Sequence, residues 1–93
     1  MKVYLAGAIT GTDDYHDRFA RYAHALRKEG HDVFNCAASN QEGRDRKDIM
    51  AFLLPILCEQ EAIAMIPNWE ESGGATIELL LARYIGLEFM FLE

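Results

Sequence analysis

Ile66-Pro67-Asn68-Trp69-Glu70-Glu71-Ser72-Gly73-Gly74-Ala75-Thr76-Ile77-Glu78 continues the short apolar run Ala62 to Ile66 and opens an apolar-periodic segment, so it reads as strand, loop and helix. Pro67 withholds a backbone donor and ends the strand. Ser72 is a good N-cap, and Gly73-Gly74 would let backbone N–H groups at the helix start come close to a ligand. Downstream, Ile77, Leu80, Leu81, Tyr84 and Ile85 recur at helical spacing. They are expected to face the core, with Glu78 at one edge of the stripe as a carboxylate beside a pocket. Composition alone makes Glu78 an ordinary solvated helix glutamate; other residues have to argue otherwise.

Working outward, Lys2 to Ala6 is a compact strand that runs straight into Gly7-Ala8-Ile9-Thr10-Gly11-Thr12, a Gly-bearing loop of the kind that enters nucleotide-type sites. It has neither a full GxGxxG nor a Walker lysine. Asp13-Asp14 can cap a helix whose inner face is Tyr15, Phe19, Tyr22, Ala23 and Leu26 and which Gly30 stops. His31 to Phe34 is a second strand, and Asn35 to Gly43 is a polar loop whose purpose is not legible. Ile49 to Cys58 is apolar on nearly all sides and contains Pro55, which predicts two short helical pieces. Ile63 to Ile66 forms strand three, Gly86 caps the helix after the opening stretch, and Leu87 to Leu92 is the last strand.

Strands alternating with helices predict an α/β fold. It is a small three-layer flavodoxin- or Rossmann-like domain with a four-stranded parallel sheet, order 2-1-3-4, and helices on both faces. That order puts a switch point between strands one and three, where the loops Gly7 to Thr12 and Pro67 to Gly74 meet. The 93 residues form one domain, 1–93, with no repeat or linker, and 51% hydrophobic content suffices for a single core. Such a small domain and the broad apolar segment Ile49 to Leu57 predict a homo-oligomer, a dimer or larger.

Nine Lys and Arg against fifteen Asp and Glu, without a basic stripe, disfavour a nucleic acid polymer as partner. Nothing in the sequence resembles a membrane-spanning run or a signal peptide, and Cys36 and Cys58 lack metal spacing, so the expectation is a cytoplasmic protein with free thiols, no metal and no cofactor. His16, His24 and His31 read as surface residues.

Tyr4-Leu5-Ala6-Gly7-Ala8-Ile9-Thr10-Gly11, Gly30-His31-Asp32-Val33-Phe34-Asn35 and Asn68-Trp69-Glu70-Glu71-Ser72-Gly73-Gly74-Ala75 with Glu78 together resemble the short phage and bacterial domains related to nucleoside 2-deoxyribosyltransferases. That superfamily also holds the 2'-deoxynucleoside 5'-monophosphate N-hydrolases. The resemblance spans nearly the whole chain and implies a nucleoside or nucleotide as the small-molecule partner. Glu78 then matches the nucleophilic glutamate and Tyr4 the tyrosine that positions it. Gly7, Ala8, Ile9, Thr10, Gly11, Ser72, Gly73 and Gly74 would bind substrate, and Trp69 would either stack on the base or plug the loop against the core.

Three departures qualify the match. Ala8 stands where relatives have Pro or Ser, and Thr10 where some phosphate-binding members have arginine, which weakens a phosphate site. Leu53 stands where relatives commonly have an aspartate that contacts the sugar or assists proton transfer, with Glu61 as the second acid. General acid help, worth about two to four powers of ten in rate, would then fall to Asp48, Glu70, Glu71 or a neighbouring subunit. Three functions follow: an N-glycosidase or deoxyribosyltransferase, a catalytically impaired nucleotide-binding module acting as a sensor or sequestering protein, and a structural dimer without a small ligand.

Overall fold

Four short runs rich in β-branched, aromatic and small apolar residues make the sheet, and the computed structural model describes residues 1–9, 14–39, 41 and 43–93. The strands are β1 (Lys2–Ala6), β2 (Asp32–Asn35), β3 (Ala62–Met65) and β4 (Glu88–Phe91). They alternate with helices α1 (Tyr15–Lys28), α2 (Arg46–Leu57) and α3 (Gly73–Ile85), and two short 3-10 turns cover Cys36–Ala38 and Trp69–Glu71. The sheet is parallel throughout in the order β2-β1-β3-β4, as the alternation predicts. Tyr4 lies beside Phe34 on one side and Ile63 on the other. Every residue from Val3 to Ala6 and from Ala62 to Met65 is fully buried, so both faces of the sheet's centre are covered.

Helix α1 buries Phe19, Ala23 and Leu26 of its expected inner face, with Tyr15 and Tyr22 partly buried against the core, and packs along β2. Helix α2 is one continuous helix rather than two pieces. Pro55 removes one donor, but it and Ala51, whose carbonyl loses that partner, are both exposed, so water can take the vacant acceptor. Leu53 and Leu57, on the opposite side, are buried and hold the two halves of α2 to one axis.

Of the expected core stripe of α3, Leu81 packs against the core as expected and the other four residues do not. Ile77, Leu80, Tyr84 and Ile85 are exposed, Tyr84 at 89%, while Ala75, Glu78 and Ala82 are the buried face. Small side chains decide this, because Ala75 and Ala82 let the helix axis come close to the sheet where leucine or tyrosine would hold it off. The consequence for Glu78 is direct: it sits in the middle of the buried face and not at its edge. Gly86 ends α3 in the left-handed conformation, φ 85°, as a capping glycine does. Edge strand β4 leaves Phe89 and Phe91 exposed. No described helix is long and apolar enough to cross a membrane.

Candidate active site

Parallel strands deliver their C-terminal ends to one edge of the sheet, and the loops that follow them build the site there. After β3, Pro67 ends the pairing and Asn68 turns the chain in the left-handed region, φ 72°, which asparagine tolerates better than most residues. The turn Trp69–Glu71 then delivers Ser72 to the start of α3. Ser72 Oγ accepts from Ala75 N at 3.1 Å, and Ser72 O accepts from Thr76 N at 3.0 Å. Gly73 and Gly74 precede these bonded residues, and among the described residues their N–H groups have no acceptor.

Between this helix start and α2 lies a cavity of about 440 Å³, a volume suited to a small organic molecule. Glu78 lines it from the second turn of α3 although the residue is only 3% exposed. Its carboxylate accepts a hydrogen bond from the Tyr4 hydroxyl, which rises from β1. Removal from water pushes the Glu78 carboxyl up to about 7, against the opposing pull of the Tyr4 bond. Tyr4 is held far above the ordinary phenol range, first by burial and then by the neighbouring Cys36 and Glu78, so it remains a donor at every ordinary pH.

The expected site residues are distributed as follows. Gly7, Ile9, Ser72, Gly73, Gly74 and Glu78 line the cavity. Tyr4 reaches it through Glu78. Ala8 is buried outside the lining, and its carbonyl accepts from Arg18 Nη2 at 2.8 Å. Trp69 also lies outside the lining; it is half-buried against the core, with its ring 6.2 Å from that of Phe91. Thr10 and Gly11 lie outside the described residues. Of the acids considered in place of Leu53, Glu71 lines the cavity, whereas Asp48 and Glu70 do not. Leu53 itself is buried in the wall at 2% exposure.

Sequence reasoning missed Cys36, Gln41, Arg46, Ile49 and Met50, which also line the cavity. A signal was present: Asn35 to Gly43 follows β2, so the topology brings that loop to the same edge as the other two. Among the described residues no group of three His, Cys, Asp or Glu side chains could hold a metal ion.

Comparison with known proteins agrees with this architecture. A solved structure of a 2-deoxyribosyltransferase from the psychrotolerant bacterium Bacillus psychrosaccharolyticus superposes with a TM-score of 0.76, over 98% of this chain and 71% of that one. The two are 20% identical, so the likeness is one of fold. No curated protein matches the chain. Residues 1–91 match the family described as Domain of unknown function (DUF4406), and the chain is a member of that family.

Proposed function

We propose that the protein acts at the N-glycosidic bond of a (deoxy)nucleoside or nucleotide, with Glu78 as nucleophile and Tyr4 as the residue that orients it. The observation that carries this reading is the buried Glu78 carboxylate, held by the Tyr4 hydroxyl and open to a cavity of about 440 Å³. A carboxylate kept from water at such a place costs stability, which is the signature of a group retained for chemistry.

The ionised Glu78 attacks the anomeric carbon of the sugar, the C–N bond breaks, and its electron pair leaves with the base, which takes up a proton. The resulting glycosyl ester is opened by water, giving hydrolysis, or by a second base, giving transfer; either second displacement restores the original anomeric configuration. Burial strips the carboxylate of hydrating water and makes it a better nucleophile toward the sugar carbon, and the single Tyr4 bond keeps one of its oxygens fixed. Gly73 and Gly74, whose N–H groups have no acceptor among the described residues, suit a sugar hydroxyl or a 5'-phosphate, with Arg46 of α2 adding positive charge to the same cavity. Glu71 is the acid in the lining best placed to protonate the departing base.

A second reading is favoured by Leu53. The wall is apolar where an aspartate would assist the leaving group, which suits a module that binds a nucleotide without turning it over. Base release from a panel of nucleosides and 5'-monophosphates, with Glu78→Gln alongside, separates the two. Release by the native chain alone supports the enzyme, and thermal stabilisation without release supports the binding module.

The same reading includes a homo-oligomer. Its support has moved from α2, most of whose apolar side chains are covered, to the exposed Ile77, Leu80, Tyr84 and Ile85 of α3 and to Phe89 and Phe91 of β4. Ile77 belongs both to that outer face and to the cavity lining, so a second copy seated on α3 would border the site.

A further inference from the structure

Glu78 lines the cavity at 3% exposure, yet among the described residues the one partner of its carboxylate is the neutral Tyr4 hydroxyl. No Lys, Arg or His side chain among them is ion-paired with it. The two other charged residues of the lining, Arg46 at the start of α2 and Glu71 in the turn before α3, are exposed, where water screens them. Once ionised, Glu78 is therefore a buried negative charge for which these residues supply no counter-charge. Such a group costs stability until a cation sits beside it.

The rest of the lining selects the kind of cation. Arg46, Ile49, Met50 and Leu53 recur at helical spacing, so one face of α2 presents a guanidinium followed by three apolar side chains, and Ile9 adds a fourth from the loop after β1. A compact ammonium is strongly hydrated and loses that hydration against such a wall, whereas a flat heteroaromatic ring spreads its charge and is easier to strip of water. The same α2 face has no proton to give a departing base, since a guanidinium does not release its own. The Cys36 thiol, also in the lining, is held well above its ordinary value, first by burial and then by the Glu78 charge, and keeps its proton.

We infer that the substrate is an N-glycoside whose base is a flat heteroaromatic cation charged at the glycosidic nitrogen, of the pyridinium kind, with the ionised Glu78 as its counter-charge and the apolar face of α2 as the wall against its ring. The inference rests on the proposed role of Glu78 as nucleophile. When Glu78 attacks the anomeric carbon, the C–N bond breaks and its electron pair passes to the ring nitrogen, cancelling the positive charge there. The base leaves as a neutral molecule and takes up no proton, so an apolar wall is no handicap to its departure. Water then adds its oxygen to the anomeric carbon, the ester C–O electron pair returns to Glu78 as the carboxylate, and one proton goes to solvent. Each turnover exchanges a cationic glycoside and water for neutral base, free sugar and one proton.

The test compares base release from nicotinamide riboside and its 2'-deoxy form, both cationic, with release from the four common neutral nucleosides in ribose and deoxyribose forms. Each is corrected for its rate without protein and run at pH 8, above the value of about 7 to which burial raises Glu78. The native chain should release the cationic base at least about a hundredfold faster, the lower end of what an acid catalyst gives a neutral leaving group. A binding arm uses two analogues that cannot lose their base, a carbocyclic nicotinamide nucleoside, cationic, and the carbocyclic benzamide nucleoside, its neutral counterpart in shape. By calorimetry the native chain should bind the cation about tenfold more tightly, the scale of one contact to a charged group. Glu78→Gln should bind the two alike. Should Glu78→Gln lose its fold, the native chain is measured at pH 5, where Glu78 is protonated and the preference should vanish. Equal or faster release from the neutral nucleosides, equal binding of the two analogues by the native chain, or a preference that survives the loss of the Glu78 charge overturns the inference and leaves Glu78 as nucleophile. Release from no compound, the cationic ones included, removes the proposed chemistry and the inference with it.

Discussion

Replacing Glu78 by glutamine should make the protein more stable, and more so as the pH rises. The folded chain holds the Glu78 proton more tightly than the unfolded chain does, since burial raises the carboxyl from 4.5 to about 7. Stability is therefore lost as the pH climbs through that window and stays lost above it. The difference of about 2.5 units corresponds to a cost of about 3 kcal/mol above pH 7, at about 1.4 kcal/mol per unit. Glutamine removes the charge, keeps the shape and offers Oε1 to the Tyr4 hydroxyl, while its amide nitrogen faces the cavity. The stability difference between Glu78→Gln and the native chain should be small near pH 4.5 and approach about 3 kcal/mol at pH 8. A domain of this size converts that into roughly 10–20 °C of melting temperature. Urea unfolding of both proteins at pH 5 and pH 8 measures it, and taking the difference cancels titrations the two share. A difference that stays flat between those pH values would show that the carboxylate is not desolvated in the folded protein. Loss of the fold in Glu78→Gln would make Glu78 structural and remove it from the chemistry.

Three further expectations concern the surroundings of Glu78. Tyr4→Phe removes the one hydrogen bond opposing burial, and since bonds to charged groups are worth about 1.5–3 kcal/mol, the Glu78 midpoint should rise by about 1–2 units in a 13C NMR titration of its side-chain carboxyl. Gly7→Ala places a Cβ 2.9 Å from Ile66 Cβ and 3.2 Å from Phe19 Cζ, and should cost about 1–3 kcal/mol by urea unfolding, as overpacking does. Charging the outer face of α3 by Leu80→Glu with Tyr84→Glu should convert an oligomer to a monomer in light scattering; a native chain already monomeric at high concentration contradicts the proposed assembly.

The sheet order was legible because alternation of strand and helix, with right-handed crossovers, leaves few arrangements for four short strands. Ser72 and Gly86 were legible as caps because local backbone chemistry alone requires such residues there. The inner face of α3 was not legible, because hydrophobicity points to Ile77, Leu80 and Tyr84 whereas closeness of approach to the sheet selects Ala75 and Ala82. That misreading also put Glu78 at an edge, when burial is what gives it an unusual proton affinity. Pro55 misled for a similar reason: whether a proline breaks a helix depends on whether the orphaned carbonyl meets water, and Ala51 is exposed. The part of the cavity lining supplied by Cys36, Gln41 and Arg46 stayed hidden because these residues carry no shared motif and converge only through the topology.

Base release from a panel of nucleosides and nucleotides, 5'-monophosphates included, followed by chromatography with the native chain and Glu78→Gln side by side, tests the central claim most directly. The account predicts free base from at least one panel member with the native chain and none with Glu78→Gln, which still binds. Equal release by the two proteins, or no release from any member by the native chain, contradicts it.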